Sequence, residues 1–197
     1  SIAFPLTSAL NRYQDPDDSL DRLWVTATTE PSIQTSFPVT IEGIDELPPV
    51  SVVQTSYVAP SNAGFSYIQT DNLAGTSYRC YLELYFAELD SRVNASGLRV
   101  FDIAINGDSY FTGLDVYDKV GPNRAFGLYS PKPQGPYSDH LLINVTSTPS
   151  SVYPPFIAAA EILQLFDNPM VHPPHQWTVS NYHHFFIIQF VHHELFV

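Results

Sequence analysis

Four aspartates lie close together near the start of the chain, at Asp15, Asp17, Asp18 and Asp21. Oxygen ligands at alternate positions are what a calcium-binding loop needs. A helix–loop–helix calcium site would place a glycine at position 20 and a bidentate glutamate at position 26, but this sequence has Leu20 and Thr26 there. The pattern therefore favours a structural role in which the aspartates cap turns.

Residue types that perform hydrolysis are present, but their spacing does not suit catalysis. Ser138, Asp139 and His140 are adjacent, whereas a catalytic triad is assembled from separate segments. Glu83 and Glu88 resemble a glycosidase pair only in residue type, because nothing supplies the separation or the pKa contrast that such a pair requires. The sequence also lacks a G-x-S-x-G elbow, a glycine-rich phosphate loop and a C-x-x-C pair. We expect no enzymatic activity.

Histidines are concentrated in the last 30 residues of the chain. They are His172, His175, His183, His184, His192 and His193. One H-x-x-H and two H-H pairs offer nitrogen ligands for zinc or copper. A metal site needs a fixed geometry, however, and nothing in the sequence of this segment indicates one. We predict neither a metal site nor a cofactor.

Aromatic and acidic residues in loop-like positions are the remaining candidates for a binding site. Sugar-binding sandwiches stack aromatic rings on sugar faces and bind hydroxyl groups with carboxylates and amides. The candidate ligand-binding residues are Tyr110, Asp115, Tyr117, Asp118 and Tyr137. For most of these residues, packing at the rim of a sheet is the alternative interpretation.

The elements that must position these residues are short strands. Apolar and β-branched runs recur with turn residues and prolines between them, which predicts an all-β, two-layer antiparallel β-sandwich of the jelly-roll kind. Strands are predicted at 33–40, 50–58, 64–69, 78–89, 99–105, 108–112, 125–130, 140–146 and 157–166. The alternation in 78–87 predicts a central strand. Asn106 and Gly107 predict a two-residue hairpin.

Composition restricts the possible partners. The chain has 197 residues, with 20 acidic against 8 basic side chains and a formal net charge of −12. Nucleic acid and anionic membranes would repel it, so we expect neutral or basic partners. No run approaches the roughly 20 apolar residues of a membrane-spanning helix.

Two N-x-S/T sequences favour a secreted or luminal protein. They begin at Asn94 and Asn144, both in polar stretches that we interpret as lying between strands, where a glycan would be tolerated. The lone cysteine, Cys80, cannot form an internal disulfide, and its apolar surroundings predict a buried side chain.

The character of the chain changes after residue 167. From 168 to 197 there is no lysine, arginine, glycine or aspartate, and Glu194 is the only acid. We therefore predict one domain over 1–167 and a tail over 168–197 that is disordered or an aberrant addition. We expect deletion of this tail to leave the melting temperature unchanged.

Several motifs resemble the malectin-like domain of plant receptor-like kinases. NRYQDPDDSLDRLW at 11–24 is similar to the family's R-Y-P-D-D-x-x-D-R-I-W stretch. LPPVSVVQT at 47–55, LYFAEL at 84–89, RVFDIAING at 99–107 and YPPFIAAAEI at 153–162 match further segments in the right order. Ala158 departs from the family's asparagine, and the tail matches nothing in the family. The resemblance covers roughly residues 8–166.

The resemblance implies a malectin-type sandwich, the second half of a tandem pair. It also implies a position on the extracellular side of the plasma membrane, or secretion, in leucine-rich-repeat receptors whose serine/threonine kinase lies outside this chain. The leading hypothesis is a non-catalytic domain that binds a peptide or protein, with a basic partner favoured by the charge. A lectin-like module for cell-wall polysaccharide and a structural spacer are the alternatives.

Overall fold

The computed structural model describes residues 3–4, 12–14, 23–26, 32–41, 48–69, 78–137, 140–166 and 182–189, which form mainly β-strands. The strands are β1 (Ala3–Phe4), β2 (Arg12–Gln14), β3 (Leu23–Thr26), β4 (Ser32–Gln34), β5 (Thr55–Val58), β6 (Phe65–Gln69), β7 (Tyr78–Ala87), β8 (Phe101–Ile105), β9 (Asp108–Leu114), β10 (Ala125–Tyr129), β11 (Gln134–Tyr137), β12 (Leu141–Ser147), β13 (Phe156–Ile157), β14 (Ala159–Phe166) and β15 (Tyr182–Gln189). Two short helices are α1 (Val50–Val53) and α2 (Val116–Val120). No helix in these ranges is long and apolar enough to cross a membrane.

The strands form three sheets, and most of the pairs are antiparallel. Sheet A has the order β1-β6-β12-β8-β9. Sheet B has the order β10-β7-β14-β15-β3-β2, and β11 pairs with β7 beside it. A small sheet C has the order β13-β5-β4. The all-β antiparallel fold class is therefore confirmed.

The main core lies between sheets A and B. Phe101, Ile103 and Ile143 extend from sheet A, while Leu82 and Phe86 extend from β7, and all five are buried. Alternate residues along a strand point to opposite faces, so every second residue of β7 enters this core. Cys80 is one of these residues and is buried without a disulfide partner, as predicted.

The other face of β7 is covered by α1, in a region where the sequence predicted a continuous strand. Val52 and Val53 are fully buried against Tyr85 and Ala87 of β7. The two β-branched residues favour a strand locally. Burial against the outer face of sheet B outweighs that preference, and the predicted strand at 50–58 is shortened to β5. The prediction that β7 is a central strand is confirmed, and its second face is covered as well.

The hairpin at Asn106 and Gly107 also agrees with the sequence. Both residues have positive φ, 48° and 89°, as the favoured two-residue turn requires. Ile105 and Asp108 pair directly across the turn, so β8 and β9 are joined without an intervening loop. This short connection fixes the start of β9 relative to the end of β8.

Part of the predicted tail lies in sheet B. β15 pairs antiparallel with β14 through Ala159 to Leu165 and parallel with β3 through Trp24 to Thr26. The edge of β14 gains hydrogen-bond partners from this added strand. The domain boundary at 167 and the interpretation of 168–197 as a disordered or aberrant tail stay predictions.

A buried group of charged side chains stands where the chain crosses from sheet B to sheet A. We call Glu88, Asp90, Arg92 and Arg99 the ion cluster. Arg99 Nη1 donates to both carboxylate oxygens of Glu88, at 2.8 and 2.9 Å, and Arg99 Nη2 donates to Asp90 Oδ2 at 3.2 Å. Arg92 binds the same Asp90 carboxylate from the surface at 2.6 and 2.8 Å.

Aromatic rings complete the surroundings of Arg99. Its Cζ atom lies 5.0 Å from the centre of the Phe156 ring and 5.8 Å from that of Tyr153. The side chains of Arg99 and Glu88 are only 2% and 1% exposed. Burial raises the pKa of Glu88 to about 7, against the attraction of Arg99. The hydrogen bond from Arg92 lowers the pKa of Asp90 to about 2.

The pairing of β15 replaces the expectation that the tail is dispensable: deleting 168–197 should destabilise the chain, because the edge of β14 would lose its β15 partner. We expect a fall in melting temperature of about 4 °C or more, which for this size corresponds to roughly 1–2 kcal/mol. The matched control ends at residue 190 and keeps β15, so its melting temperature should stay near that of the full chain. Equal melting temperatures for both truncations would show that β15 contributes nothing.

Arg92→Ala should destabilise the protein in a pH-dependent way. The pKa of Asp90 is about 2 in the folded protein and about 3.9 in an unfolded chain. The stability that Asp90 contributes is therefore complete above the unfolded pKa and is lost as the pH falls through the folded pKa. In Arg92→Ala the pKa of Asp90 in the folded protein moves back toward its value in the unfolded chain, so Asp90 contributes less to stability.

Urea unfolding at a series of pH values tests this expectation. The difference in unfolding free energy between the native chain and Arg92→Ala should be largest above about pH 5 and should shrink toward about pH 2. Lys132→Ala removes the same charge from an exposed loop residue and serves as the control. A difference that stays constant across the series would contradict the role of Arg92.

Candidate ligand-binding site

A cavity of about 270 Å³ lies between the start of β9 and strand β11. Its sheet A wall is Ile105, Asp108, Ser109 and Tyr110, and its opposite wall is Gln134–Tyr137. The volume is slightly below the 300–1,000 Å³ of pockets for drug-sized molecules. It suits one side chain or one sugar ring.

The hairpin of β8 and β9 positions the first wall. The tight turn ends at Asp108, which is exposed at the mouth of the cavity. Asn106 holds the turn against β12, because its side chain donates to the His140 carbonyl at 3.1 Å and accepts from the Leu142 amide at 2.6 Å. The cavity wall is thereby attached to the neighbouring strand.

Gly135 shapes the second wall. Its φ is +108°, and a Cβ at this position would lie 3.1 Å from the Tyr78 carbonyl oxygen and 3.2 Å from the Tyr137 ring. Any side chain here would be strained and crowded, so only glycine lets β11 approach β7 this closely. The Gly135–Pro136 peptide bond is cis. The prolines of this segment lie in and before a short strand, β11, that pairs with the edge of β7.

Two of the predicted ligand-binding residues, Tyr110 and Tyr137, meet at this cavity. The Tyr137 ring packs edge-on against Tyr78, with centroids 6.0 Å apart. Burial raises the pKa of Tyr110 and of Tyr137 to about 12 each. Both rings are therefore neutral phenols at physiological pH. The nearby Asp108 charge adds to the rise at Tyr137.

The Tyr110 hydroxyl group is buried and has no hydrogen-bond partner among the described residues. The nearby Ser130 hydroxyl lowers the pKa of Tyr110, but burial raises it by more. The two hydroxyl groups do not form a hydrogen bond with each other. A buried polar atom without a partner costs about 1–3 kcal/mol, so a ligand that bonded this hydroxyl would recover part of that cost.

The other predicted residues, Asp115, Tyr117 and Asp118, do not line the cavity. Asp115 caps α2, because its Oδ1 accepts from the Asp118 amide at 3.0 Å. Its Oδ2 accepts from the Gly97 amide at 2.6 Å, and Asp118 accepts from the Ser96 hydroxyl at 3.0 Å. These carboxylates join α2 to the loop that carries the Asn94 sequon. Any role for them in ligand binding stays a prediction.

The residues considered for catalysis and metal binding are either explained by other contacts or lie outside the described part of the chain. Glu88 belongs to the ion cluster, and Glu83 is buried on the face of β7 opposite the main core. The aspartates at 15–21, Ser138, Asp139 and the side chains of the tail histidines are outside the described residues. Among the residues that are described, no three histidine, cysteine or acidic side chains form a group that could hold a metal ion.

The two sequons differ in their positions. Asn94 is exposed in the loop between β7 and β8, as expected. Asn144 lies instead within β12, half-buried between β6 and β8, and its Oδ1 accepts from the Ser66 hydroxyl at 2.7 Å. The expectation that both sequons lie between strands is thus wrong for Asn144. The strand predicted at 140–146 already contained Asn144, and β12 confirms that strand.

Asp108 and Gln134 also line the cavity, although neither was among the candidate residues predicted from the sequence. Asp108 follows the predicted hairpin turn directly, so its position on the rim could have been deduced from that turn. Gln134 gave no comparable indication, because its place depends on the unusual backbone at Gly135 and on pairing with β7 across the sequence. Neither constraint can be deduced from local patterns.

Comparison with known proteins identifies the family. The family model for the malectin-like domain matches residues 4–165. The nodulation receptor kinase of Pisum sativum is 29% identical over 153 residues, which is 76% of this chain and 16% of that protein. A leucine-rich repeat receptor-like serine/threonine-protein kinase of Arabidopsis thaliana is 26% identical over 168 residues, which is 84% of this chain and 18% of that protein.

Solved structures share the fold. The complex of plant peptide RALF23 with FER and LLG2 matches with a TM-score of 0.63 and 19% identity, over 79% of this chain and 46% of that chain. The ANX1 ectodomain from Arabidopsis thaliana matches with a TM-score of 0.57 and 16% identity, over 77% of this chain and 44% of that chain.

This chain thus spans less than a fifth of these curated relatives and just under half of the solved ectodomains. It does not contain the kinase domain named in the relatives. The family model, however, extends over well more than half of its own residues. The protein belongs to the malectin-like domain family, and its relatives are plant leucine-rich repeat receptor-like kinases.

Proposed function

We propose that this chain is an extracellular, non-catalytic domain of a plant receptor-like kinase that binds a peptide or protein with a basic surface. The observation that carries this proposal is the likeness to the structure of peptide RALF23 in complex with FER and LLG2. A fold of this type occurs there in an assembly with a peptide and a second protein. We infer the basic character of the partner from the net charge of this chain and not from that complex.

The charge of the chain supports a basic partner. With a formal net charge of −12, the surface attracts cations over distances up to a Debye length, about 8–10 Å near physiological ionic strength. Such a field steers the approach of a partner and raises the association rate. It also repels the anionic lipid headgroups beside which a receptor ectodomain stands.

The exposed Asn94 sequon supports a position outside the cell or in the secretory pathway. A glycan on this loop would extend into solvent. The loop joins β7 to β8 at the end of the sandwich where β9 finishes, whereas the cavity lies where β9 starts. Seven residues of strand separate the two ends by about 20 Å. A glycan at Asn94 would leave the cavity accessible.

Binding of cell-wall polysaccharide is a second candidate function, favoured by the presence of Tyr110 and Tyr137 in one cavity. Aromatic rings beside a carboxylate and an amide are a common arrangement in sugar sites. We place this function second because the cavity holds about one sugar ring, and polysaccharide binding in a groove needs several. The spacer hypothesis gains no support from any specific contact.

Secretion of the chain from plant cells should yield a glycan at Asn94, with lower occupancy at Asn144, because the Asn144 side chain is half-buried within a sheet. Intact-mass spectrometry of the native chain, Asn94→Gln and Asn144→Gln measures this directly. We expect Asn94→Gln to remove most of the attached mass and Asn144→Gln to remove little. Secreted protein without a glycan at either position would contradict the proposed location.

A basic synthetic peptide should bind the chain more tightly than an acidic peptide of the same length, with an affinity that falls as salt rises. The physical reason is screening of the acidic surface. Calorimetric titrations at low and high salt compare both peptides with a neutral cell-wall oligosaccharide. Salt-insensitive binding of the oligosaccharide, lost in Tyr137→Ala, would replace the basic partner with a sugar.

A further inference from the structure

The cavity between β9 and β11 carries an acidic group and no basic one. None of its eight lining residues is basic. Asp108 contributes an exposed carboxylate, which accepts hydrogen bonds and cannot donate them when ionised. The lining therefore favours a ligand group that carries donors and a positive charge.

Gln134 adds a second fixed acceptor. Its side-chain nitrogen donates to the Lys132 carbonyl oxygen at 3.1 Å. With one N–H of the amide used in this way, the amide oxygen stays available as an acceptor. The amide is thus oriented by its own loop before any ligand arrives, which lowers the entropic cost of binding.

The aromatic rings favour a cation for a different reason. The face of a tyrosine ring is electron-rich and attracts a cation within about 6 Å. Tyr110 and Tyr137 both line the cavity and stay neutral, because burial raises their pKa values to about 12. The negative charge of Asp108 is close enough to act on Tyr137. A cation at the Tyr137 ring would therefore also be attracted by Asp108.

We propose that this cavity receives an arginine side chain of the partner, with the guanidinium group over the tyrosine rings and its N–H groups directed to Asp108 and Gln134. This inference rests on the proposed function, since it names the group by which a basic partner is recognised. Arginine suits the site better than lysine, because the planar guanidinium stacks on rings and carries five donors. A sugar suits it less, because a neutral sugar has no charge to pair with the Asp108 carboxylate.

The ion cluster of this same chain shows that the proposed contacts are compatible with the fold. There Arg99 binds two carboxylates and lies over the rings of Tyr153 and Phe156 at 5.8 and 5.0 Å. The cavity offers one carboxylate, one amide oxygen and two rings, and none of its described lining residues is an arginine or a lysine.

The direct test is titration of the isotope-labelled chain with N-acetyl-arginine methylamide, followed by nuclear magnetic resonance. The control probe is the citrulline analogue, which has nearly the same shape and no charge. We expect the arginine probe to shift resonances of residues 108–110 and 134–137 and to bind at least about tenfold more tightly than the citrulline analogue, a difference of 1.4 kcal/mol. Equal affinities, or no shifts with either probe, would overturn the inference.

Paired variants separate the cavity from the general charge of the chain. Asp108→Asn and Asp118→Asn each remove one negative charge, but only Asp108 lines the cavity. We expect Asp108→Asn to weaken the arginine probe about tenfold, or 1.4 kcal/mol, and Asp118→Asn to change its affinity less than about twofold, because long-range attraction alone is weak at physiological salt. Tyr137→Leu should weaken it as well, and its folding is checked by its spectrum.

Failure of this inference can be distinguished from failure of the proposed function. One outcome is that the basic peptide binds in a salt-dependent way while Asp108→Asn and Asp118→Asn weaken its binding equally. That result would support the proposal of a basic partner and contradict the proposal that the cavity binds arginine. If neither the basic peptide nor the arginine probe binds, both are wrong. A neutral disaccharide that shifts the same cavity resonances would assign the cavity to sugar.

Discussion

The buried pair of Arg99 and Glu88 is the constraint on which much of this sandwich depends. Both side chains are almost completely excluded from water, so neither charge can be satisfied by solvent. Removing one member of such a pair costs about 3–5 kcal/mol, because the other member is left buried and uncompensated. Arg99 also has an Nε with no acceptor among the described residues. The bidentate contact to Glu88 is therefore essential for keeping the guanidinium inside.

The pair matters for the binding cavity because of where its members stand in the chain. Glu88 directly follows β7 and Arg99 lies two residues before the start of β8, so their contact fixes the crossing between the two sheets. β8 then leads through the tight hairpin to β9 and the first wall of the cavity, while β11 pairs with the other end of β7. Both walls of the cavity are thus attached to β7, the first wall beyond one end of this ten-residue strand and the second wall at the other end.

Sequence patterns predicted those elements whose stability comes from alternation and turn chemistry, such as β7 and the hairpin at Asn106. They failed where tertiary contacts override local preference. The valines at 50–53 form a helix because two of them are buried under sheet B, and β11 forms because Gly135 allows close approach to β7. The motif residues Glu88 and Arg99 were visible in the sequence, but their pairing was not, because 11 positions separate them.

Only part of the candidate site could be predicted from the sequence, for the same reason. Tyr110 and Tyr137 come from opposite walls, and their residue type alone suggested a ring-lined site. Asp115 and Asp118 were equally plausible from residue type, yet their carboxylates accept hydrogen bonds from α2 itself and from the loop between β7 and β8. An acidic residue can serve a ligand only when its lone pairs are not already used by the fold. Asp108 meets that condition, because it is exposed and its carboxylate accepts no hydrogen bond from the residues that the structure describes. We therefore expect this acidic surface to select its ligand at the cavity.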